Sequence, residues 1–367
     1  MTKYSDILTL ADLANFISEH HNKHSYLHYL KNGDWINVSR KDFSNQIYNL
    51  ANFLKKSNIK KGDKILILAD SSPLWLIFDF AIMLSGAISV PMFANISKEN
   101  LKYQIDDSEI KYAFLIGGEQ WQALKPHTNK FSKIITHELK VQGNNIIPYS
   151  DILKNHGKIS NPNLAPFCKN IKPSDIATII YTSGSTGNPK GVCLTHGNLI
   201  SQIKDANKAF SLKEDKDIAL SFLPLAHIFE RMVMYFYLSK FITVYFADSS
   251  DNIANLLKEV RPTIMTTVPR LLEKIHAKIL ANITELPASK KAIAALALFY
   301  ARRMPISFAR YSILHKILKR IIYQKFLNAF GGRMEILISG GAPLANNIYK
   351  FFLNIGLNLY QGYGLTE

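Results

Sequence analysis

The chain has 367 residues, 47% of them hydrophobic and 20% charged, which supplies enough apolar mass for one or two cores and excludes an intrinsically disordered protein. Two cysteines, Cys168 and Cys193 (the latter inside an apolar run), show no metal-knuckle or disulfide spacing, which excludes a disulfide scaffold and agrees with a reducing cytosol. The formal net charge is +16, and ten lysines and arginines fall between Leu286 and Met334, where there is no aspartate or glutamate. That asymmetry asks for an anionic partner.

In chain order, MTKYSDILTLADL carries Asp6 and Asp12 and no small-residue cleavage site, so no signal or transit peptide is expected. From Ser39, an expected N-cap, Phe43, Ile47, Leu50, Ala51 and Leu54 recur at helical spacing. A strand follows at Lys64 to Ala69, a helix across Trp75, a short strand at Ile88 to Pro91, a helix from Ser97 and a strand at Tyr112 to Ile116. Ile176 to Tyr181 has the near-continuous apolar character of a strand buried on both faces. A second set of strands is expected at 218–222, 241–246, 263–268 and 334–339. Two apolar stretches, 74–90 and 232–247, are interrupted by Asp79 and Lys240 and fall short of the ~20 apolar residues of a spanning helix. The fold class is therefore α/β, two layered αβ subdomains with mainly parallel sheets, expected over 1–175 and 176–367.

The buried strand runs into Tyr181-Thr-Ser-Gly-Ser-Thr-Gly-Asn-Pro-Lys-Gly-Val192. Gly184, Gly187 and Gly191 let the backbone turn with its N–H groups inward, Thr182, Ser183, Ser185 and Thr186 add hydroxyls, and Lys190 adds a point charge. Such a loop cradles phosphate. A flexible Ser/Gly linker is the plainer alternative, but linkers rarely follow a buried strand and end in Pro-Lys-Gly. The common nucleotide loop requires Gly-Lys followed by Ser or Thr, and here Lys190 lies between Pro189 and Gly191. A dinucleotide fingerprint fails on glycine spacing.

This motif resembles the phosphate loop of the AMP-binding, adenylate-forming superfamily, and four further blocks follow in that family's order. They are Pro224-Leu-Ala-His-Ile-Phe-Glu-Arg231, Val268-Pro-Arg270, Ser339-Gly-Gly-Ala-Pro-Leu344 and Tyr360-Gln-Gly-Tyr-Gly-Leu-Thr-Glu367. The resemblance implies the large N-terminal domain of such enzymes, without the small C-terminal domain. It implies ATP, AMP and Mg²⁺ as ligands and coenzyme A as co-substrate. The 182–191 loop would hold the β- and γ-phosphates, with Lys190 and His227 as catalytic groups. Gly341, Ala342 and Pro343 would line one side of the adenine, Tyr363 would stack on it beside Gly364, and Thr366 would meet the α-phosphate. Glu367, with Thr182, would hold the metal. Without the resemblance, 339–343 reads as a strand-ending turn, Glu367 as a solvated terminus and His227 as a structural histidine.

PLAHIFER and VPRLLEKI are most similar to the long-chain fatty-acid CoA ligases of that superfamily, which implies conversion of a fatty acid, through acyl-AMP, to acyl-CoA. In the family the sequence continues with an aspartate for the ribose hydroxyls, a hinge and a small domain carrying a catalytic lysine. A chain lacking these would be an incomplete AMP-binding domain. The rival reading is a non-catalytic nucleotide-binding fragment, or one half of a split ligase. In 286–334, Leu298, Phe299, Tyr300, Ile306, Phe308, Ile313, Leu314, Leu318, Ile321, Ile322 and Phe326 interleave with Arg302, Arg303, Arg310, Lys316, Lys319 and Arg320. Such helices either lie on anionic bilayers or pack as a solvated pair on the domain. The first reading places the protein in the cytoplasm, at the inner face of the membrane. Nucleic acid is not expected as a partner, for no binding motif accompanies the charge. His20, His21 and His24 have no carboxylate at metal spacing and are expected at the surface.

Overall fold

The computed structural model describes residues 2–20, 24–156, 162–182, 187–214, 216–305 and 312–366. They form two compact units, the first comprising Met1–Leu212, Pro224–Phe241 and Thr366–Glu367, the second Lys213–Leu223 and Ile242–Leu365.

In the first unit, hydroxyl caps start the helices. α1 (Leu10–Ser18) begins at Thr9, whose side chain accepts from the Asp12 N–H while Asp12 reaches back, a capping box. Ser39, Ser72 and Ser97 cap α2 (Arg40–Lys56), α3 (Pro73–Leu84) and α4 (Lys98–Ser108), each hydroxyl accepting one backbone N–H, and Pro73 occupies the first turn, where its missing N–H costs nothing. α5 (Gly118–Leu124), α6 (Tyr149–His156), α7 (Ala165–Cys168), α8 (His196–Ala209) and α9 (Ile228–Ser239) complete the helices. At the start of α8, buried His196 accepts the Leu10 N–H on Nδ1 at 3.2 Å, and desolvation lowers its pKa to about 4, so a neutral imidazole ties α1 to α8.

The first two strands, β1 (Leu27–Lys31) and β2 (Asp34–Val38), form a hairpin that the sequence reading passed over. Asn32 and Gly33 turn it at φ of +54° and +88°, the two-residue turn that matches strand twist. The main sheet of this unit has the order β7-β6-β5-β3-β4-β8-β9. Its strands are β3 (Lys64–Leu68), β4 (Ile88–Met92), β5 (Tyr112–Ile116), β6 (Lys133–His137), β7 (Ile146–Pro148), β8 (Ile176–Thr182) and β9 (Lys190–Thr195). All pairs are parallel except β8 with β9. Every residue of α3 but Leu74 is buried, and the centre of β8 is buried too, as its apolar run predicts.

β8 pairs with β4 and falls with it in the first unit. Cys193 is exposed on β9, a short strand half open to solvent. His20 is no free surface group: its ring packs on Phe16 and Phe241, with centroids 4.7 Å away, and Nδ1 lies 2.8 Å from the Phe16 carbonyl. His21 lies outside the described residues, and His24 is exposed.

The second unit holds five parallel strands, β10 (Ile218–Ser221), β11 (Thr243–Phe246), β12 (Ile264–Thr267), β13 (Ile336–Ser339) and β14 (Leu359–Gln361), in the order β14-β13-β12-β10-β11. Its helices are α10 (Ile253–Val260), α11 (Pro269–Thr284), α12 (Ala288–Arg303), α13 (Ile313–Leu318), α14 (Gln324–Leu327) and α15 (Asn346–Asn354). A π-helical turn, Lys319–Tyr323, joins α13 to α14. The basic segment is anchored to α15 by Asn354, whose Nδ2 donates to the carbonyls of Ala301 and Met304 at 2.9 and 3.0 Å. Within the segment, Tyr323 Oη donates to the Ala297 carbonyl at 2.9 Å. Ile306, Phe308 and Arg310 lie outside the described residues.

Candidate nucleotide site

In the first unit, β8 delivers Thr182 and β9 begins at Lys190, and the two residues are cross-strand partners. The hydroxyl-rich loop is thus the connection of an antiparallel pair, and its one lysine stands opposite its first threonine. Lys190, Gly187 and Gly191 are exposed and Thr182 is half-buried, while Ser183, Gly184, Ser185 and Thr186 lie outside the described residues. Gly191 has a steric reason: a Cβ there would meet Ile179 Cγ2 at 2.9 Å and the Tyr181 ring at 3.3 Å. Gly191→Ala is therefore expected to cost about 1–3 kcal/mol, the usual penalty of overpacking, read as a lower denaturation midpoint with unchanged slope.

His227 is the N-cap of α9. Its Nδ1 accepts the Phe229 N–H at 3.2 Å, which leaves the proton of the neutral ring on Nε2, and desolvation lowers its pKa. The Pro224 block is held to the connection between β3 and α3 through the Leu225 N–H, which donates to Ser71 Oγ at 2.8 Å.

One turn along α9, Arg231 is wholly buried. Its guanidinium pairs with buried Asp79 of α3, Nη2 to Oδ1 at 2.5 Å and Nε to Oδ2 at 3.1 Å, and Nη1 donates to Thr178 Oγ1 of β8 at 2.7 Å. Tyr235 Oη bonds to the same carboxylate, and the guanidinium lies 5.3 Å from the Trp75 ring centroid. The buried charges of α3 and α9 therefore meet at Thr178, four residues before Thr182, and one turn after His227. Sequence reasoning noted Asp79 only as an interruption of an apolar run and Arg231 only as part of a block. A lone charge inside an apolar helix is itself a signal that a partner must be buried with it.

In the second unit, Thr267, Ser339 and Gln361 lie in register at the carboxyl ends of β12, β13 and β14. The Gly340 N–H donates to the Thr267 carbonyl at 3.0 Å, the Gly362 N–H to the Ser339 carbonyl at 2.8 Å, and the Leu344 N–H to Gln361 Oε1 at 3.4 Å. Three separate blocks are thus stitched into one rim. On it, Gly341 has a φ of +78°, Ala342 and Pro343 follow at the turn, Gly364 is exposed and the Tyr363 ring is 93% exposed, an uncovered aromatic face. Thr366, assigned to the first unit, is half-buried, and Glu367 lies outside the described residues.

Parallel strands whose carboxyl ends carry such turns are the usual ligand-binding edge of an α/β protein. The family model described as AMP-binding enzyme matches residues 15–367, and the chain belongs to that family. It is 30% identical, over 92% of its length, to the long-chain-fatty-acid–CoA ligase FadD15 of Mycobacterium bovis, of which it covers 57%. It is also 30% identical, over 87% of its length, to the peroxisomal long chain acyl-CoA synthetase 6 of Arabidopsis thaliana, covering 46% of that protein. The chain thus spans about half the length of these relatives. Among solved structures, the N-terminal domain of FACL13 from Mycobacterium tuberculosis matches with a TM-score of 0.71 at 17% identity, over 98% of this chain and 76% of that one.

Proposed function

We propose that the chain carries the adenylation half-site of a long-chain fatty-acid CoA ligase. The carboxylate of the acid attacks the α-phosphorus of ATP, pyrophosphate leaves, and the acyl-AMP so formed is attacked by the thiol of coenzyme A, which releases AMP. One observation carries this reading. A hydroxyl-rich loop bracketed by the paired Thr182 and Lys190 stands on a chain whose relatives over 92% of its length are named as long-chain ligases. Lys190 and the 182–191 loop hold the β- and γ-phosphates, and Gly341, Ala342, Pro343, Tyr363 and Gly364 receive the adenine. Thr366 meets the α-phosphate. His227 Nε2–H donates to the charge that develops at the reacting centre, as a preorganised donor does. Mg²⁺ would take oxygen from Thr182, Glu367 and the phosphates, a donor set suited to a hard ion, and would neutralise phosphate charge. The hydroxyl of half-buried Thr182 fits that role.

The same reading extends to a bilayer. Leu296, Phe299, Ile313 and Ile317 are each about half exposed or more, beside Arg302, Arg303, Lys316 and Arg320. An exposed apolar set mixed with cations suits an anionic membrane surface, where a poorly soluble substrate would be collected on the cytoplasmic side. Among the described residues no helix is long and apolar enough to cross a membrane.

The test is fatty-acid-dependent exchange of labelled pyrophosphate into ATP by the purified chain. Exchange above the no-acid blank is expected with long-chain acids, and Lys190→Ala should weaken ATP binding by roughly 10- to 100-fold, the loss of a charge-assisted phosphate contact. ATP binding without exchange at any chain length would leave a nucleotide-binding half and overturn catalysis by this polypeptide alone.

A further inference from the structure

The second unit contains a cavity of about 590 Å³ bounded by α10, α11, α12 and the segment 321–329. That volume lies within the ~300–1,000 Å³ of sites that take small organic ligands. Its walls are made of aliphatic and aromatic side chains, among them Leu257, Ile275, Ile279, Ile283 and Phe326. Lys258, Lys278, Lys290 and Lys325 also line it, all exposed, and among the described residues no aspartate or glutamate does. It shares no residue with the strand-end turns of the nucleotide site, and it uses different residues of α12 from the exposed apolar face.

An apolar trough lined by cations and by no carboxylate has a definite complement: a molecule with one long apolar body and one negative end. A neutral lipid would leave the lysines unused, and a polyphosphate would leave the apolar walls unpaired. The exposed Ile293 and Ile321, 46% and 47% accessible, continue the apolar lining to the surface, so a chain can enter sideways while its head stays among the ammonium groups.

We propose that this cavity is a second binding site for a free long-chain carboxylate, separate from the adenylation site. The hydrocarbon lies along α10 and α11, and the carboxylate sits among Lys258, Lys278, Lys290 and Lys325. The site would hold fatty acid close to the enzyme without reacting with it. It stands on the geometry of the cavity and does not depend on adenylation by this chain.

The experiment uses the 367-residue chain without ATP and a palmitate analogue bearing a diazirine in its hydrocarbon, kept below micelle formation. Irradiation and peptide mapping should place saturable label on peptides from 253–294 and 321–329. Unlabelled palmitate should displace it, and hexadecan-1-ol should not. Combining Lys258→Glu, Lys278→Glu, Lys290→Glu and Lys325→Glu should reduce that label about tenfold, as expected when charge-assisted contacts are lost. If the charge-reversed chain does not fold by circular dichroism, the four Lys→Gln changes at the same positions, read the same way, decide the matter. Label absent from these peptides, label unchanged in the variants, or equal displacement by the alcohol would overturn the proposal. So would displacement by phosphatidylglycerol vesicles but not by palmitate, which would identify a bilayer lipid as the occupant. Label confined to peptides around His227 or Gly341 would also overturn it, while leaving the adenylation reading intact.

Discussion

Arg231→Ala is expected to destabilise the protein by about 3–5 kcal/mol, the usual cost of removing one partner of a buried ion pair. Asp79 would remain wholly buried with only the Tyr235 hydroxyl and no guanidinium to neutralise it, and Thr178 Oγ1 would lose a donor. Urea titration of the variant should show a lower midpoint at an unchanged slope. Removing both charges, as Arg231→Met with Asp79→Leu, should restore much of the loss, because two apolar side chains leave no buried charge unpaired. If the double variant is as unstable as the sum of the singles, the two residues are not coupled and the account of the cluster fails. The cluster also bears on the candidate site, since it ties the helix that His227 caps to the strand that leads into the 182–191 loop.

His227→Ala should lower acid-dependent pyrophosphate exchange roughly 10²–10³-fold, the size of effect seen when one preorganised donor is removed. ATP affinity should change little. Alanine also removes the α9 cap, worth about 1 kcal/mol, so His227→Asn is the informative companion: asparagine caps well. If Asn restores stability but not exchange, His227 acts on the reaction; if it restores both, the histidine is only a cap. The pH profile gives an independent reading. Nδ1 can accept the Phe229 N–H only while unprotonated, and partial desolvation of the exposed residue's ring holds its pKa below the ordinary ~6.5. Exchange should be flat at neutral pH and fall as acid protonates the ring, with its midpoint below the ordinary histidine value. That limb should vanish in the Asn variant.

Much of the fold was legible along the chain. Helix starts at Ser39 and Ser97 could be found because capping is local, and β3, β5 and β8 because a strand buried on both faces must be apolar at nearly every position. The β1–β2 hairpin carried a local signal too, Asn32-Gly33 between alternating residues, which reading from Ser39 onward left out. β9 was less legible: Lys190–Thr195 follows a glycine-rich loop, has two exposed residues at its start, and becomes a strand only because β8 offers an edge.

What the sequence by itself determined is the kind of loop, its order relative to the other blocks, and the family, because these depend on residue types and spacing that survive without coordinates. Tertiary structure alone decided that Thr182 and Lys190 face each other across an antiparallel pair, and that three distant blocks form one rim at the ends of β12, β13 and β14. It also decided that Asp79 and Arg231, 152 positions apart, neutralise one another. Strand pairing and buried charge are relations between segments far apart in the chain. A linear sequence records that such a charge needs a partner, and only packing selects which one.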